Sequence, residues 1–170
     1  MKKFTILLFL FNILLFSNES PAQNNTNDQK YIYKKGDYNG IGKWYMGREI
    51  AYVMGYEGIG WLERSQREKE ENVSKLIQNM GIRPNDTIAD IGAGSGYHAF
   101  RMAPLANKGM VYAVDIQTEM LMAIENSKET NNIKNIKTIL GGEKSVYLAK
   151  NSVDKILMVD VYHEFSFPIE

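Results

Sequence analysis

The sequence predicts an α/β fold, a mostly parallel sheet with flanking helices. Three observations predict it. Four short apolar runs, Thr87 to Ile91, Met110 to Val114, Ile136 to Leu140 and Val153 to Val159, lack the alternation of a half-exposed strand. Such runs suit strands covered on both faces. Segments with helical spacing separate the first three runs, which makes parallel crossovers the economical connection. A glycine-rich loop, Gly92 to Gly96, joins the first run to the segment after it.

The chain begins with a separate segment. Lys2 and Lys3 precede an apolar stretch, Phe4 to Phe16, and then Ser17-Asn18-Glu19-Ser20-Pro21-Ala22. A basic start, a short apolar run and small residues at a cleavage point make an export signal. Residues 1–22 are therefore expected to be a signal peptide or a retained N-terminal anchor. The expected location is periplasmic, secreted or membrane-anchored, and cytoplasmic if the segment is not a signal. Residues 23–60 read as a polar leader followed by a cap rich in aromatics and glycine, with a short helix or turn at Arg48 to Met54. Residues 61–170 carry the main domain.

Within that domain, Trp61, Leu62, Val73, Leu76, Ile77 and Met80 fall near one face of a helix spanning about residues 61–80. Arg67-Glu68-Lys69-Glu70-Glu71 is its solvated side. Gly81 and Pro84 end it. Tyr97 to Asn107 reads as the helix after the glycine loop, with Pro104 kinking or shortening it. Thr118 to Asn131 is the next helix. Gly141 to Ser152 is short for a crossover helix.

Composition narrows the function. With 20 basic and 20 acidic residues the formal net charge is +0, so no nucleic-acid partner is expected. No cysteine is present, which excludes disulfide scaffolds, thiolate nucleophiles and cysteine-bound metals. The 2 histidines, His98 and His163, have no accompanying ladder of acids, and no metal site is expected.

Asp90-Ile91-Gly92-Ala93-Gly94-Ser95-Gly96 follows a strand and opens a helix, the setting of a nucleotide loop. Gly92 and Gly94 allow a ligand to approach the backbone. The spacing is G-x-G-x-G; the dinucleotide fingerprint needs a further glycine where Tyr97 stands. A nicotinamide-dependent oxidoreductase is thus the weaker reading. Asp115 ends the second strand, where an acid accepts both hydroxyls of a ribose. Asp90 either braces the loop or meets a cationic group on the ligand. Together these residues indicate an adenosine ligand without phosphates and with a charged tail, as in S-adenosyl-L-methionine.

On these residues the chain resembles the class I S-adenosylmethionine-dependent methyltransferases, over about residues 61–170. The glycine loop matches the family's first motif. Val111 to Asp115 matches the second strand with its ribose-binding acid. Asn151-Ser152-Val153-Asp154 and the run through Asp160 match the approach to the fourth strand. Met158 to Phe165 is similar to a subgroup with an Asp-x-Tyr-His-Glu string. The resemblance implies a Rossmann-like sheet, with the usual seven strands cut after the fourth because the chain reaches Glu170 there. It also implies that the backbone from Gly92 to Gly96, with Asp90, Asp115 and Asp160, holds the cofactor. Glu143 stands one residue past the usual adenine-contacting position, which Gly142 occupies.

His163 and Tyr162 follow Asp160 at the strand end. His163 is a loop histidine, a general base or a substrate-positioning group, and Tyr162 packs against the transferred methyl or shapes the pocket. His98 is read as packing or surface. The expected activity is methyl transfer to a small-molecule acceptor, with some access to a membrane through the N-terminus. The alternative is a cofactor-binding protein of the same fold without catalysis.

Overall fold

A computed structural model describes residues 30–170. The export-signal reading of residues 1–22 therefore lies outside the described residues. The first described elements form a three-stranded antiparallel meander: β1 (Tyr31–Tyr33), β2 (Gly40–Tyr45) and β3 (Arg48–Ala51). Met46 and Gly47, at φ 49° and 79°, make the two-residue turn between β2 and β3. Two left-handed residues give a turn whose twist matches the strands it joins. The Glu49 carboxylate accepts the N–H groups of Asp37 at 2.7 Å and Gly42 at 2.9 Å, tying the preceding loop to β3.

This meander corrects the helix or turn expected at Arg48 to Met54. Ile50 is fully buried, its neighbours Glu49 and Ala51 are half-buried, and Arg48 at the start of the strand is exposed. The hairpin decides the conformation, because it supplies hydrogen-bond partners that an isolated seven-residue segment lacks.

A 3₁₀ turn, Tyr56–Gly58, leads into three short helices: α1 (Ile59–Leu62), α2 (Arg67–Glu71) and α3 (Val73–Asn79). The single helix expected over residues 61–80 is thus broken twice. Asn72 adopts φ 51° between α2 and α3, a conformation that ends a helix and that asparagine tolerates. Between α1 and α2, the Arg67 guanidinium turns back to donate to the Leu62 carbonyl at 2.9 Å. The expected face survives only in part: Val73 and Ile77 are buried and Leu62, Leu76 and Met80 half-buried, while Trp61 is exposed.

The remaining elements are β4 (Thr87–Ile91), α4 (Ala99–Met102), β5 (Met110–Asp115), α5 (Thr118–Thr130), β6 (Ile136–Leu140) and β7 (Lys155–Leu157). Their strands form one parallel sheet in the order β6-β5-β4-β7. The register sets Ile91 beside Val114 and Asp115 beside Leu140. The C-terminal strand ends are therefore level, and the loops that follow them share one edge.

The expectation of a chain cut after its fourth strand, with later strands missing, is corrected here. The described residues hold seven strands, β1–β7, and three of them follow the fourth and join its sheet. The sequence count began at Thr87 because the tyrosine- and glycine-rich segment before it hides its strands. Two other bounds also move. The helix expected over Tyr97 to Asn107 contracts to α4, since Pro104 has no N–H to continue the ladder and turns replace it. β7 is shorter than the run Val153 to Val159, because as an edge strand it pairs with β4 alone.

One face of the parallel sheet packs Ile88, Val111, Ala113 and Ile136 against Val73, Met102, Leu121 and Ile124 from α3, α4 and α5. The other face carries Ala89, Ile91 and Val114, covered by Leu148, Val153 and Phe165 from irregular segments. Gly141 to Ser152 forms no helix, only an isolated bridge between Gly142 and Ser145.

Candidate functional site

A cleft of about 1120 Å³ opens at the level C-terminal ends of β4, β5 and β6. The glycine loop forms one wall. Gly92, Gly94 and Gly96 sit at φ 70°, 53° and 83°, all unfavourable for a residue with a Cβ. The Val114 carbonyl accepts the N–H groups of Gly92 at 2.8 Å and Ala93 at 3.0 Å, which draws the loop over β5. A Cβ on Gly92 would lie 2.2 Å from Val161 Cγ2. Close approach of the segment after β7 thus requires glycine at this position. Gly92 and Gly94 line the cleft. Gly96 faces away, and a Cβ there would press on Phe100 and Ile124.

Asp115 stands at the end of β5 on the cleft wall and is 7 % exposed. Oδ2 accepts the Gly94 N–H at 2.8 Å, and Oδ1 accepts the Gln117 N–H at 2.9 Å. Burial raises its carboxyl above the ordinary range, against the pull of these N–H groups. Each oxygen of a carboxylate has capacity for a second hydrogen bond. The side chain thus shapes the glycine loop and keeps acceptor capacity toward the cleft.

The other residues expected at the site divide by position. Asp160, at φ 51°, and Glu143 line the cleft. Asp90 does not line it. Asp90 lies beneath the loop, 2 % exposed, accepting the Ala99 N–H, and its Oδ2 has no partner among the described residues. Burial pushes its carboxyl up to about 7. Of the two roles that sequence allowed, the geometry favours the loop brace. His163 lines the cleft with its side chain half exposed, and its Nε2 is 3.8 Å from Glu164 Oε1. Tyr162 is not on the cleft wall. It packs edge-on against Phe165, with ring centroids 5.7 Å apart, and lies under the Arg48 guanidinium.

This arrangement of loop, buried acid and level strand ends has relatives among known proteins. A family model described as a methyltransferase domain matches residues 82–169, just over half of the chain. The chain belongs to the methyltransferase-domain family. A probable cobalt-precorrin-6B C(15)-methyltransferase (decarboxylating) of Methanosarcina mazei is 26 % identical over 88 residues, covering 52 % of this chain and 48 % of that protein. A protein-L-isoaspartate O-methyltransferase of Ruegeria sp. is 30 % identical over 69 residues, 41 % of this chain and 31 % of the relative. A crystal structure of a SAM-dependent methyltransferase from Aquifex aeolicus superposes with a TM-score of 0.64 and 27 % identity, covering 68 % of this chain and 62 % of that one. The chain spans about half the length of the Methanosarcina relatives it matches. Its fold is that of the S-adenosylmethionine-dependent methyltransferases, and S-adenosyl-L-methionine is the cofactor of that fold.

The methyltransferase domain also uses long-range contacts of the segment Arg48 to Met54 that the sequence does not spell out. Met54, between β3 and the 3₁₀ turn, is held from both sides across the cleft. Its N–H donates to Glu164 Oε1 at 3.1 Å, and its carbonyl accepts from Gln117 Nε2 at 3.0 Å. Burial raises the Glu164 carboxyl, while the Met54 N–H and the His163 imidazole work against that shift. Val53, Met54, Trp61 and Leu62 thereby become one wall of the cleft. No spacing in the sequence joins Met54 to Glu164, 110 residues away. The Asp-x-Tyr-His-Glu string did mark Glu164 as unusual.

Proposed function

We propose that this methyltransferase domain transfers a methyl group from S-adenosyl-L-methionine to a small-molecule acceptor in the cleft at the strand ends. The observation that carries the reading is Asp115, a buried carboxylate on the cleft wall that is oriented by the backbone N–H groups of Gly94 and Gln117. Two adjacent ribose hydroxyls are donors that such a carboxylate accepts. Gly92 and Gly94 beside it present backbone to the same cleft. The donor set therefore fits the cofactor, with Asp115 for the ribose, the glycine loop for the methionine portion, and Glu143 and Asp160 as further acids on the wall.

When bound, the cofactor supplies an activated methyl group on a positively charged sulfur. The chain's own part is to hold, orient and exclude water, since positioning lowers the barrier of a bimolecular step by up to about 7–11 kcal/mol in well-oriented systems. Val53, Met54, Trp61, Leu62, Phe165 and Phe167 give the cleft an apolar lining, which supports an acceptor with apolar surface. His163, at the exposed rim, is placed to position such an acceptor.

Calorimetric titration of the full chain with S-adenosyl-L-methionine tests this reading. One site per chain at micromolar affinity is expected. Asp115→Ala should weaken binding at least about tenfold, because the ribose loses its acceptor and the Gly94 and Gln117 N–H groups lose theirs. Equal affinity of parent and variant would reject the ribose assignment, and no binding by a folded parent would reject the function.

A further inference from the structure

The antiparallel meander packs on the rest of the chain through one face. Tyr31 meets the Phe167 ring edge-on with centroids 6.0 Å apart, the Lys43 ammonium lies 3.5 Å from the centre of that ring, and Ile50 is fully buried. Side chains alternate along a strand, so Ile32 and its cross-strand partner Trp44 stand on the opposite face. Lys34 lies there too, with its ammonium 4.0 Å over the Trp44 ring. Ile32 is exposed, and the loops at both ends of the meander extend the exposed surface. Tyr38 and Tyr52 are 87 % and 61 % exposed at one end, where the Tyr52 N–H donates to the Asn39 carbonyl at 2.8 Å. Met46 is 85 % exposed in the turn at the other end. Single exposed apolar residues are ordinary on a protein surface; here one short stretch of chain gathers several large ones.

The charge on this surface is one-sided. Residues 30–56 carry Lys30, Lys34, Lys35, Lys43 and Arg48 against Asp37 and Glu49, in a chain of formal net charge +0. The two acids are engaged locally. Glu49 accepts the N–H groups of Asp37 and Gly42, and Asp37 Oδ1 accepts the Asn39 N–H at 2.9 Å. Lys30, Lys34 and Lys35 are exposed. Tyrosines and a tryptophan among cations suit the headgroup layer of a bilayer, which is apolar on one side and wet on the other. Ile32 and Met46 need an apolar environment that a nucleic-acid backbone does not supply, and lysine is depleted in protein–protein interfaces. The sequence before β1 points the same way. Phe4 to Phe16, behind Lys2 and Lys3, is an apolar segment of the kind that meets a membrane as signal or anchor, and the meander is the first described sheet after it.

We propose that the outer face and end loops of the β1–β3 meander form a docking surface for an anionic lipid bilayer. Ile32, Tyr38, Met46 and Tyr52 enter the interfacial layer, and Lys30, Lys34 and Lys35 meet the headgroup phosphates. Each lysine held beside an anionic surface strengthens binding by about fivefold. The surface stands apart from the proposed function and needs no cofactor. It is also continuous with the site, since β3 leads on to Val53 and Met54 on the cleft wall.

The test uses the full chain with two kinds of vesicle, phosphatidylcholine mixed with phosphatidylglycerol and phosphatidylcholine alone. The chain has 2 tryptophans, so Trp61→Phe leaves Trp44, beneath Lys34, as the reporter. Brominated acyl chains quench an indole at short range, and the signal therefore reports the meander rather than insertion of residues 4–16. Trp44 should be quenched by the anionic vesicles, with at least about tenfold weaker apparent affinity for the neutral ones and a steep loss as salt rises. Joint replacement Lys30→Glu and Lys35→Glu should weaken quenching by at least about tenfold. Met46→Ser and Tyr38→Ser, at positions too exposed to support the fold, should each weaken it by about threefold. A chain that sediments with vesicles while Trp44 stays unquenched is held by its N-terminus alone and would overturn the proposal. Equal binding to both vesicles, or substitutions without effect, would do the same. Hydrogen exchange on the unaltered chain gives a reading independent of variant folding: anionic vesicles should slow exchange in residues 32–40, and unchanged exchange there would refute the surface. A solution dimer that Met46→Ser dissociates would assign this face to a second copy instead, and preference for a duplex oligonucleotide over the vesicles would assign it to nucleic acid; either result overturns the lipid reading.

Discussion

Replacing Gly92 with alanine should destabilise the chain by about 2–5 kcal/mol. Two effects contribute, and the structure separates them. Gly92 sits at φ 70°, where an L-residue costs about 1–2 kcal/mol. The new Cβ would also stand 2.2 Å from Val161 Cγ2 and 2.7 Å from Val161 Cβ. Rotation of the valine moves Cγ2 but leaves its Cβ where it is, so the backbone after β7 must shift. Overpacking of that kind costs about 1–3 kcal/mol. Gly47 supplies the control, with φ 79° and nothing within 4 Å of its added Cβ. Gly47→Ala should therefore show the backbone effect alone. The assay is thermal unfolding by circular dichroism, in which each kcal/mol corresponds to about 2–4 °C for a chain of this size. Gly92→Ala should melt several degrees below Gly47→Ala. Midpoints within about 1 °C of each other would show that the contact with Val161 carries no energy.

Asp90 predicts a pH effect. Its carboxyl is raised to about 7 by burial, from an unfolded value of about 4. The stability linked to its proton is fully present below about pH 4 and is lost as pH rises through about 7. Asp90→Asn lacks that proton equilibrium, so its stability relative to the parent should improve between about pH 5 and about pH 8 by on the order of 1–4 kcal/mol in urea melts. Parallel pH profiles for the two proteins would remove Asp90 as the cause. Glu164→Ala takes away the acceptor of the Met54 N–H and should cost about 1 kcal/mol while speeding hydrogen exchange at Met54. Glu164→Gln keeps an oxygen there and should retain most of the protection; unchanged exchange in the alanine variant would mean that Glu164 does not hold this segment.

The parallel sheet was legible where burial leaves its mark on local composition. β4 and β6 occupy the bounds that their apolar runs suggest, and β5 adds only Asp115 to its run. α5 has the expected start and ends one residue early. The glycine loop and Asp115 were legible for a different reason. Left-handed backbone requires glycine, and an acid at a strand end is an uncommon choice. The helices before β4 were misread because periodicity reports which face is buried and says little about continuity. Asn72 breaks the helix while Val73 and Ile77 remain inside. The meander β1–β3 was missed because its strands depend on each other and on a two-residue turn, while their many tyrosines and glycines blur the alternation.

The division at the site follows the same logic. Sequence alone determined the strand-loop-acid unit, because each part is a constraint on a short stretch of chain: apolar residues for a covered strand, glycine for positive φ, a carboxylate at the strand end. It also pointed to the cofactor class, since those parts lie at a characteristic spacing. Only the tertiary structure decided which side chains face the cleft. Asp90 lies under the loop and Tyr162 turns away, whereas Arg67 and His98, which read as solvated face and packing, are buried on the cleft wall. Burial and hydrogen bonding between distant segments are properties of the assembled chain. Met54 acquires its position from Gln117 and Glu164 only when β3, β5 and the segment after β7 meet.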